Sequence, residues 1–573
     1  MLPMLQLFAF SVRTQQSVTD NNHCRKQTDC PTWMYCLNST TNCTCGVVDR
    51  QIVLCNNRTR EVRVLDGYIM TYNEKENMVE AGPSSYGWRS RCFRKGNDLY
   101  FRVQPNRTEL NDRACGRFNR EGRLCGKCKE GYSPLVYTYK LDCANCSHSR
   151  YNEVKFIAVA FIPLTAFYMF VVLFKFNANS PALQAYCLAA QIVGAPVACR
   201  YIIAQYGFTI EYALVSTFFG VWNLDFLRLV YPDICLNVST LTALSLDYAI
   251  AFYPLFLIFL TYIGTQLYTR GYRIVVLVWK PFLKLVRLKW DNKSSLIDVM
   301  ATFMLLSYNK VLSVSFDLLV FTRPFNLTGK FTGIYLYNDA TVVYFGKQHL
   351  PYGIMAILFF VVFNMLPFLL LLFYPMKCFQ RCLNQLKLSH IFFHTFVESF
   401  SGYYKDGTEP GTRDCRYFAA LFLLLRIIFY GALGSTRNIS SIIIIGSAGT
   451  IAVILFVVCK PYKTQYSAYN TITVILFLVG LAFTLSLVGF YISEIMFDQK
   501  IILATLVTGF GAVPLFYIVG LAVWWIWKHT PLKRHCYECI NRKLERSLTD
   551  ITLFKAADSK SQHTQCYGAI VMK

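Results

Sequence analysis

The chain has 573 residues, with 57 Lys+Arg against 33 Asp+Glu and a formal net charge of +24, yet 54% of it is hydrophobic and only 16% is charged. Soluble domains carry about 25% charged residues, so this composition excludes a disordered chain and an ordinary soluble enzyme. The apolar residues gather into runs of about twenty, the length that crosses a bilayer core. The sequence therefore predicts an all-α polytopic membrane bundle. Its basic excess lies between the apolar runs, which favours contact with anionic inner-leaflet lipids over nucleic acid.

The region before the first long apolar run, residues 1–154, reads as a small disulfide-rich ectodomain. An even, dense set of cysteines in a polar stretch is typical of a disulfide framework in an oxidising compartment. Three sequons there predict glycosylation at Asn38, Asn57 and Asn106. Met1 to Val12 has no basic n-region, so we expect either a poor signal peptide or the C-terminal part of a longer extracellular protein. The disulfide candidates are Cys24, Cys30, Cys36, Cys43, Cys45, Cys55, Cys92, Cys115, Cys125, Cys128, Cys143 and Cys146.

The last four of these cysteines form the strongest motif, Cys125-Gly-Lys-Cys128 followed by Cys143-Ala-Asn-Cys146. Gly and Pro residues between them favour tight turns, which bring small disulfide loops together without a core. Paired Cys-x-x-Cys motifs also suit zinc, but an exported region favours disulfides. The motif resembles EGF-like and receptor-type cysteine modules. Its place just before a span predicts a rigid collar at the membrane surface.

Ten apolar runs follow the collar, at Phe156–Phe174, Ala182–Tyr206, Phe208–Val230, Leu244–Tyr268, Leu296–Val320, Tyr352–Tyr374, Tyr417–Leu433, Ile442–Val458, Ile472–Ile492 and Ile501–Trp527. The basic loop at 270–293 is cytoplasmic by the positive-inside rule, and it contains the sequon at Asn292, which we expect to be unused. The sequons at Asn237, Asn326 and Asn438 then fall outside. This requires 182–230 to cross once in net, with 182–206 as the span. The sequence thus predicts about nine transmembrane helices within 155–528, an extracellular N-terminus and a basic cytoplasmic tail at 529–573, in the plasma membrane.

Ionisable residues at membrane depth are functional candidates, because each costs about 2.5 to 3.5 kcal/mol at the bilayer centre. Lys310 lies near the middle of its span and too far from either end to snorkel, so we expect it to face inward and to meet another helix, preferably through Asp247. Two interpretations stay open: structural ion pairs, or a polar pathway for an ion or small solute. The candidates are Arg200, Asp225, Arg228, Asp247, Asp298, Asn309, Lys310, Asp317 and Arg426.

The cytoplasmic segments offer weaker signals. His390, His394 and Glu398 lie at i, i+4 and i+8 of an amphipathic stretch, but a metal reaches only adjacent turns, so a membrane-surface helix is favoured over a metal site. No nucleophile elbow, phosphate loop or zinc-protease motif is present in the sequence. We therefore expect neither an enzyme nor a cofactor. Juxtamembrane thiols are candidates for S-palmitoylation, against inert reduced thiols, at Cys378, Cys382, Cys536 and Cys539.

Several strings resemble a large family of uncharacterised invertebrate multi-pass membrane proteins with cysteine-rich extracellular regions. They are Cys30-Pro-Thr-Trp33 before Cys43-Thr-Cys45-Gly46, the collar, Ser295-Leu-Ile-Asp298 with Leu305-Leu-Ser-Tyr308, and Tyr404-Lys-Asp406-Gly-Thr with Arg413-Asp-Cys-Arg416-Tyr. The family implies this topology but no established activity. A fainter resemblance, in the last helices and at Lys460-Pro-Tyr-Lys463, is to transient-receptor-potential and polycystin-like channels.

Two functions remain open at this point. The central charges favour a channel-like or transporter-like protein with a polar intramembrane pathway. The ectodomain and the basic cytoplasmic loops favour a cell-surface receptor or adhesion protein that binds an extracellular protein partner.

Overall fold

The computed structural model describes residues 152–174, 183–187, 236–273, 293–326, 331–385, 390–409, 412–435 and 439–479, and parts of the N-terminal region that include 35–36, 43–44, 53–56, 61–64, 68–73, 78–83, 99–102, Cys115, 119–134 and 143–146. These residues belong to one compact unit that ends at Phe510. A second unit, Gly511–Lys573, lies outside the described residues.

All the membrane-length elements of the described bundle are helices. Its helices are α1 (Asn152–Phe174), α2 (Thr240–Thr269), α3 (Lys293–Leu319), α4 (Leu350–Phe359), α5 (Leu366–Phe373), α6 (Lys377–Gln385), α7 (His390–Ser401), α8 (Phe418–Ser435), α9 (Ile439–Cys459) and α10 (Ala468–Val479). A π-helical turn, Phe360–Met365, joins α4 to α5 into one continuous rod.

Among the described helices, four are long and apolar enough to cross a membrane: Glu153–Leu173, Thr240–Thr269, Leu296–Leu319 and Leu350–Phe373. Three shorter apolar helices follow, at Phe418–Ala432, Ile444–Cys459 and Ala468–Val479. The described residues therefore support four membrane-length helices and not the expected nine. The predicted runs Ala182–Tyr206, Phe208–Val230 and Ile501–Trp527 lie largely or wholly outside the described residues.

Local chemistry fixes where helix α2 begins and ends. The Ser239 side chain accepts a hydrogen bond from the backbone N–H of Thr242, which satisfies one of the free donors of the first turn. At the other end Gly271 has a φ of +79°, a conformation that other residues rarely adopt. Its N–H bonds to the Tyr268 carbonyl and stops the helix.

Helix α3 is the central element of the bundle. In its membrane window 78% of the residues are buried inside the protein, against 28% to 39% in the other three long helices. It packs against α2, α4, α7 and α8. Polar residues on α3 are therefore enclosed by protein instead of facing lipid.

The N-terminal region is built from short antiparallel strands: Tyr35–Cys36 (β1), Cys43–Thr44 (β2), Val53–Asn56 (β3), Glu61–Val64 (β4), Tyr68–Asn73 (β5), Met78–Pro83 (β6), Leu99–Arg102 (β7), Arg120–Glu121 (β8), Lys127–Cys128 (β9), Tyr132–Pro134 (β10) and Cys143–Asn145 (β11). The loop after α3 adds Phe321–Thr322 (β12), Phe325–Asn326 (β13) and Tyr335–Leu336 (β14). Disulfides Cys115–Cys125 and Cys128–Cys143 hold the collar together, and Cys146 is also disulfide-bonded. The disulfide-rich N-terminal region is thus confirmed.

The collar packs on the loops at one end of the bundle. Strand β13 pairs with β6, so the loop after α3 and the hairpin β5–β6 share one three-stranded sheet. The Ser133 hydroxyl lies 3.4 Å from the Val238 carbonyl, just before α2. A Cβ on Gly126 would lie 2.6 Å from the backbone N of Ala340, so only glycine allows this approach. The collar, the start of α2 and the end of α3 therefore lie together; which side of a membrane they face stays a prediction.

Candidate functional site: a polar layer inside the bundle

The pair expected from the sequence lies in the middle of the bundle. Lys310 Nζ on α3 is 3.2 Å from Asp247 Oδ1 on α2, and the Lys310 side chain is only 8% exposed. Lys310 lies about 21 Å along the axis from the Leu296 end of its apolar span and about 14 Å from the Leu319 end, at 1.5 Å per residue. We call the end of the bundle that carries the collar the outer end and the opposite end the inner end, whichever side of a membrane each faces. The lysine is too deep to snorkel, and it instead points inward at the acidic partner.

Tyr308, two residues before Lys310, points to a different helix. Its hydroxyl donates to the Asn364 carbonyl at 3.0 Å, and the Asn364 amide Nδ2 donates back to the Tyr308 carbonyl at 3.0 Å. Asn364 lies in the π-helical turn, where an extra residue per turn displaces the ordinary backbone hydrogen bonds. This reciprocal pair joins α3 to the widened turn and puts a carboxamide in the bundle core.

Asp247, Tyr308, Asn309, Lys310 and Asn364 form a polar layer across the bundle. Asn309, between Tyr308 and Lys310, is the residue of this layer with the fewest hydrogen bonds to its side chain. The residue is 1% exposed, and within the described part of the chain neither its Oδ1 nor its Nδ2 has a hydrogen-bond partner. Buried carboxamides are nearly always bonded, because leaving one unbonded costs about 1 to 3 kcal/mol. No group of the described protein uses this carboxamide, so it is available to bond a water or a small ligand.

Hydroxyl groups extend the layer towards α2. Ser307 donates to the Ala251 carbonyl at 2.7 Å, and Tyr248 and Ser315 share a hydrogen bond of 2.8 Å between their hydroxyls. Both contacts join α3 to α2 on the side where Lys310 meets Asp247. The contact between α2 and α3 therefore contains several hydroxyl groups that donate and accept hydrogen bonds.

Arg426 on α8 adds a second buried cation near this layer. It is 2% exposed, and the groups in electrostatic contact with it include the Cys187 thiol and the phenols of Tyr308, Tyr403 and Tyr430. Tyr308 belongs to the polar layer, whereas Tyr403 belongs to the inner loop between α7 and α8. Arg426 therefore connects the layer to the inner end of the bundle.

Below Arg426, the inner end is closed by aromatic rings. Tyr404 stacks on Tyr462 with ring centroids 5.1 Å apart and 12° between planes, and Tyr403 packs on both. Burial raises the pKa of Tyr403 and of Tyr404 well above the usual value. Asp298, the innermost predicted residue of α3, accepts a 2.6 Å bond from the Ser399 hydroxyl of α7.

The inner loop also has a charged edge. Hydrogen bonds from Thr408 and the nearby Lys463 ammonium, 3.1 Å away, hold the pKa of Asp406 well below its usual value. Asp414 forms a 2.6 Å pair with Arg416. These contacts hold Asp406 and Asp414 in place in the described parts of the loop between α7 and α8.

At the outer end, side chains of the loop before α4 cap the last turn of α3. Asn338 donates to the Asp317 carbonyl, Tyr344 to the Leu319 carbonyl, and His349 Nε2–H to the Leu318 carbonyl at 2.8 Å. These are carbonyls that a helix end leaves without an intrahelical donor. His349 Nδ1 accepts from the Phe345 N–H, so the ring is neutral, and burial lowers the pKa of His349.

The N-terminal region reaches the same loop. Arg123 of the collar forms a bidentate pair with the fully buried Glu80 of β6, at 2.7 and 3.0 Å, and stacks on Tyr335. Burial acts to lower the pKa of Arg123, but the Glu80 carboxylate more than offsets it and the pKa is raised. Asp339 lies under the collar, and burial raises its pKa against hydrogen bonds from Thr341.

Several sequence predictions are placed but not tested by the geometry. Asp317 is half-buried and lies in electrostatic contact with Tyr248. His394 Nδ1 lies 3.3 Å from Glu398 Oε2 on an exposed face, and among the described residues no three His, Cys, Asp or Glu lie together as metal ligands. Cys378 is an exposed free thiol on α6. Arg200, Asp225, Arg228, Asn38, Asn57, Asn106, Asn438, Cys536 and Cys539 lie outside the described residues.

Apart from Asp247, the partners of the predicted residues are not evident from the sequence. Asn364 lies three residues before Pro367, and a proline inside an apolar run signals a local break of helical hydrogen bonding. That signal could have identified the π-helical turn. The roles of Tyr308, His349 and Glu80 depend on packing between segments far apart in the chain, which periodicity does not carry.

Comparison with known proteins identifies no family: no protein-family model, no curated protein and no solved structure matches the chain. The family resemblance seen in the sequence therefore stays a prediction, and the function rests on the polar layer itself.

Proposed function

We propose that the protein is an integral membrane protein with a channel-like or transporter-like polar pathway through its helical bundle. The observation that carries this proposal is the run Tyr308-Asn309-Lys310 on the most buried helix. Three consecutive side chains diverge by about 100° each, so they reach different sides of α3. The layer is therefore polar across the bundle and not at one isolated contact.

The layer has features that transporters place at membrane depth. Its ionisable residues face the bundle interior, and its helix α4–α5 is interrupted by a π-helical turn that bears Asn364. Interrupted helices at mid-membrane supply binding groups in many transporters. The Asn309 carboxamide, which has no hydrogen-bond partner among the described residues, can donate to and accept from a polar solute or water.

The pathway is tested by whole-cell current and by tracer flux, with the wild-type chain and with Lys310→Met. Loss of the Lys310 charge leaves Asp247 buried without its partner, so we expect flux to fall or its selectivity to change. Asp247→Asn, which keeps the shape of the side chain, should alter flux in the same way. Glu121→Gln is the matched control, because Glu121 forms only an exposed pair with Lys127.

Two results contradict the pathway. One is a surface-expressed wild-type protein with no current or flux above background for ions or for small solutes. The other is a flux that neither variant alters. If a variant does not reach the cell surface, the other variant decides the outcome.

A second candidate, a receptor or adhesion protein with an extracellular partner, is favoured by the ectodomain contacts. The Glu80–Arg123–Tyr335 contact joins the hairpin β5–β6 to the loop that caps α3. A ligand on the hairpin could therefore shift the end of the central helix. Intact cells that display the protein should bind its extracellular partner, and Lys310→Met should leave that binding unchanged. This result supports the second candidate over the pathway.

The finer assignments belong to the same proposal. They are about nine spans, residence in the plasma membrane with the ectodomain outside, contact of the basic loops with anionic inner-leaflet lipids, and palmitoylation at juxtamembrane thiols such as the exposed Cys378.

A further inference from the structure

Two free thiols lie next to each other at the inner end of the bundle. Cys415 lies three residues before the start of α8, and Cys459 is the last residue of α9. Their sulfurs are in electrostatic contact, and the Tyr417 hydroxyl is in electrostatic contact with both. The pair lies outside the polar layer.

Helix packing explains why the two thiols meet. The buried rings of Phe418 and Phe456 have centroids 5.0 Å apart, so the start of α8 packs on the end of α9. The Phe418 N–H bonds to the Cys415 carbonyl at 3.0 Å, which makes Cys415 part of the turn that leads into α8. Cys459 lies three residues after Phe456, on the same face of α9. Both cysteines therefore extend the contact that the two rings form.

The backbone beside the thiols holds the inner loop between two other segments. The Cys415 N–H donates to the Lys405 carbonyl at 2.8 Å, and the Lys405 N–H donates to the Pro461 carbonyl at 2.9 Å. Pro461 follows Cys459 by two residues. A covalent bond between Cys415 and Cys459 would therefore join the two segments that lie on either side of Lys405.

The two thiols differ in access to solvent. Cys459 is partly exposed, whereas Cys415 is 5% exposed. Burial raises the pKa of Cys415 above its ordinary value, so this thiol stays protonated and reacts slowly with reagents in solution. An oxidant therefore reaches Cys459 first, and Cys415 lies beside it as the resolving thiol.

We propose that Cys415 and Cys459 form a redox modification site, which a hydroperoxide converts reversibly into a disulfide. The Cys459 sulfur attacks the outer peroxide oxygen, the O–O bond breaks, and an alcohol, or water from hydrogen peroxide, leaves with the thiol proton. Cys459 is then a sulfenic acid. The Cys415 sulfur attacks it, the S–O bond breaks, and water leaves with the second thiol proton. Two thiols and one hydroperoxide thus give one disulfide, one alcohol and one water.

The disulfide ties the start of α8 to the end of α9 and fixes the inner loop between them. The site does not depend on the polar pathway, because the thiols and the loop meet whether or not the protein conducts. A thiol reductant restores the open form by thiol–disulfide exchange.

The test is treatment of the reduced full chain in lipid nanodiscs with hydrogen peroxide, followed by alkylation of the remaining thiols and non-reducing peptide mapping. We expect a Cys415–Cys459 cross-linked peptide about 2 Da lighter than its two free peptides together, since two hydrogens are lost. Dithiothreitol should separate the two peptides. In the oxidised protein the backbone N–H groups of Lys405 and Cys415 should exchange at least about tenfold more slowly, because the bond opposes opening of the loop.

Phenylarsine oxide tests the pair without an oxidant, because its arsenic atom binds two neighbouring thiols. Protection of Cys459 against alkylation reports this binding. Protection should need at least about a hundredfold more reagent in Cys415→Ser, where the second, intramolecular thiol is lost. Cys378→Ser, which removes an exposed free thiol elsewhere, is the matched control and should behave as the wild type in both assays. If Cys415→Ser does not fold, the peptide map of the wild-type protein decides the outcome.

Four results count against the site. The absence of the cross-link at a peroxide dose that oxidises Cys378, or cross-linking of Cys415 and Cys459 mainly to other cysteines, means that the two thiols are not a redox pair. Equal protection of Cys459 in the wild type and in a folded Cys415→Ser means that the thiols do not act together. Unchanged hydrogen exchange in the oxidised protein means that the bond does not fix the inner loop.

Discussion

The contact between Lys310 and Asp247 predicts a measurable coupling in stability. Lys310→Met keeps the length of the side chain and removes its charge, and Asp247→Asn removes the opposite charge with little change of shape. Each single change leaves the other charge inside the bundle, whereas the double variant leaves none. The two sites should therefore not behave independently.

The size of the effect follows from the distance and burial. At 3.2 Å and an effective dielectric constant of about 20, the gross attraction is about 5 kcal/mol. Removing one partner of a buried pair costs about 3 to 5 kcal/mol. The Asp247 side chain is 22% exposed and can recover part of its hydration, so we expect a loss of about 2 to 3 kcal/mol for Lys310→Met.

The assay is a double-mutant cycle on purified protein in detergent micelles, with reversible unfolding followed by tyrosine and tryptophan fluorescence. The double variant should lose less stability than the sum of the two single variants, by about 1 to 3 kcal/mol. Additive losses would show that the two charges do not interact, and an unchanged stability of Lys310→Met would show that the lysine is hydrated and unpaired. Either result would refute the pair.

Three further predictions concern the outer end of the protein. Glu80→Gln should speed hydrogen exchange in Met78–Pro83, because it leaves Arg123 without its bidentate partner, while the exposed-pair variant Glu121→Gln should exchange as the wild type does; equal rates in both variants would contradict the clamp. Because burial lowers the pKa of His349 in the folded protein, the unfolded chain binds its proton more readily, so the stability contribution present above the unfolded pKa of about 6.5 is lost as pH falls from there through the lower folded pKa. Unfolding temperatures from pH 7.5 to 5 should fall more steeply in the wild type than in His349→Gln, and parallel curves would exclude the neutral histidine cap. Glycosidase treatment of the chain made in a secretory cell should shift its mass through glycans at Asn237, Asn326 and Asn438 but never at Asn292, and a glycan on Asn292 would reverse the orientation of the basic loop.

Much of the membrane-length architecture is predictable from the sequence, because apolar runs of about twenty residues have few other solutions. The predicted Leu296–Val320 corresponds to Lys293–Leu319, and Tyr352–Tyr374 to Leu350–Phe373 with its π-helical turn. Element ends shift by a few residues because caps such as Ser239 and Gly271 are set by local hydrogen bonds. The inward position of Lys310 was also predictable, since burial is the only inexpensive place for a mid-span ammonium.

What the sequence could not supply is the pairing between distant segments. Strand β13 lies more than 240 residues after its partner β6, and no periodic pattern links the two. Asn364 and Asn309 are ordinary residues in apolar runs until packing puts one against Tyr308 and leaves the other unbonded. Helix periodicity gives the face of a residue but not the neighbour on that face.

Hydration of the polar layer is the most direct test of the central claim. Radiolytic footprinting of the intact protein in lipid nanodiscs modifies side chains that touch water, including water held inside a protein. We predict modification of Tyr308, although it is 2% exposed, while the equally enclosed Tyr462 of the inner aromatic cluster stays unmodified. Tyr272, which is 56% exposed, gives the reference rate. Modification of Tyr272 without any at Tyr308 or Lys310 would show a dry layer and contradict a polar pathway.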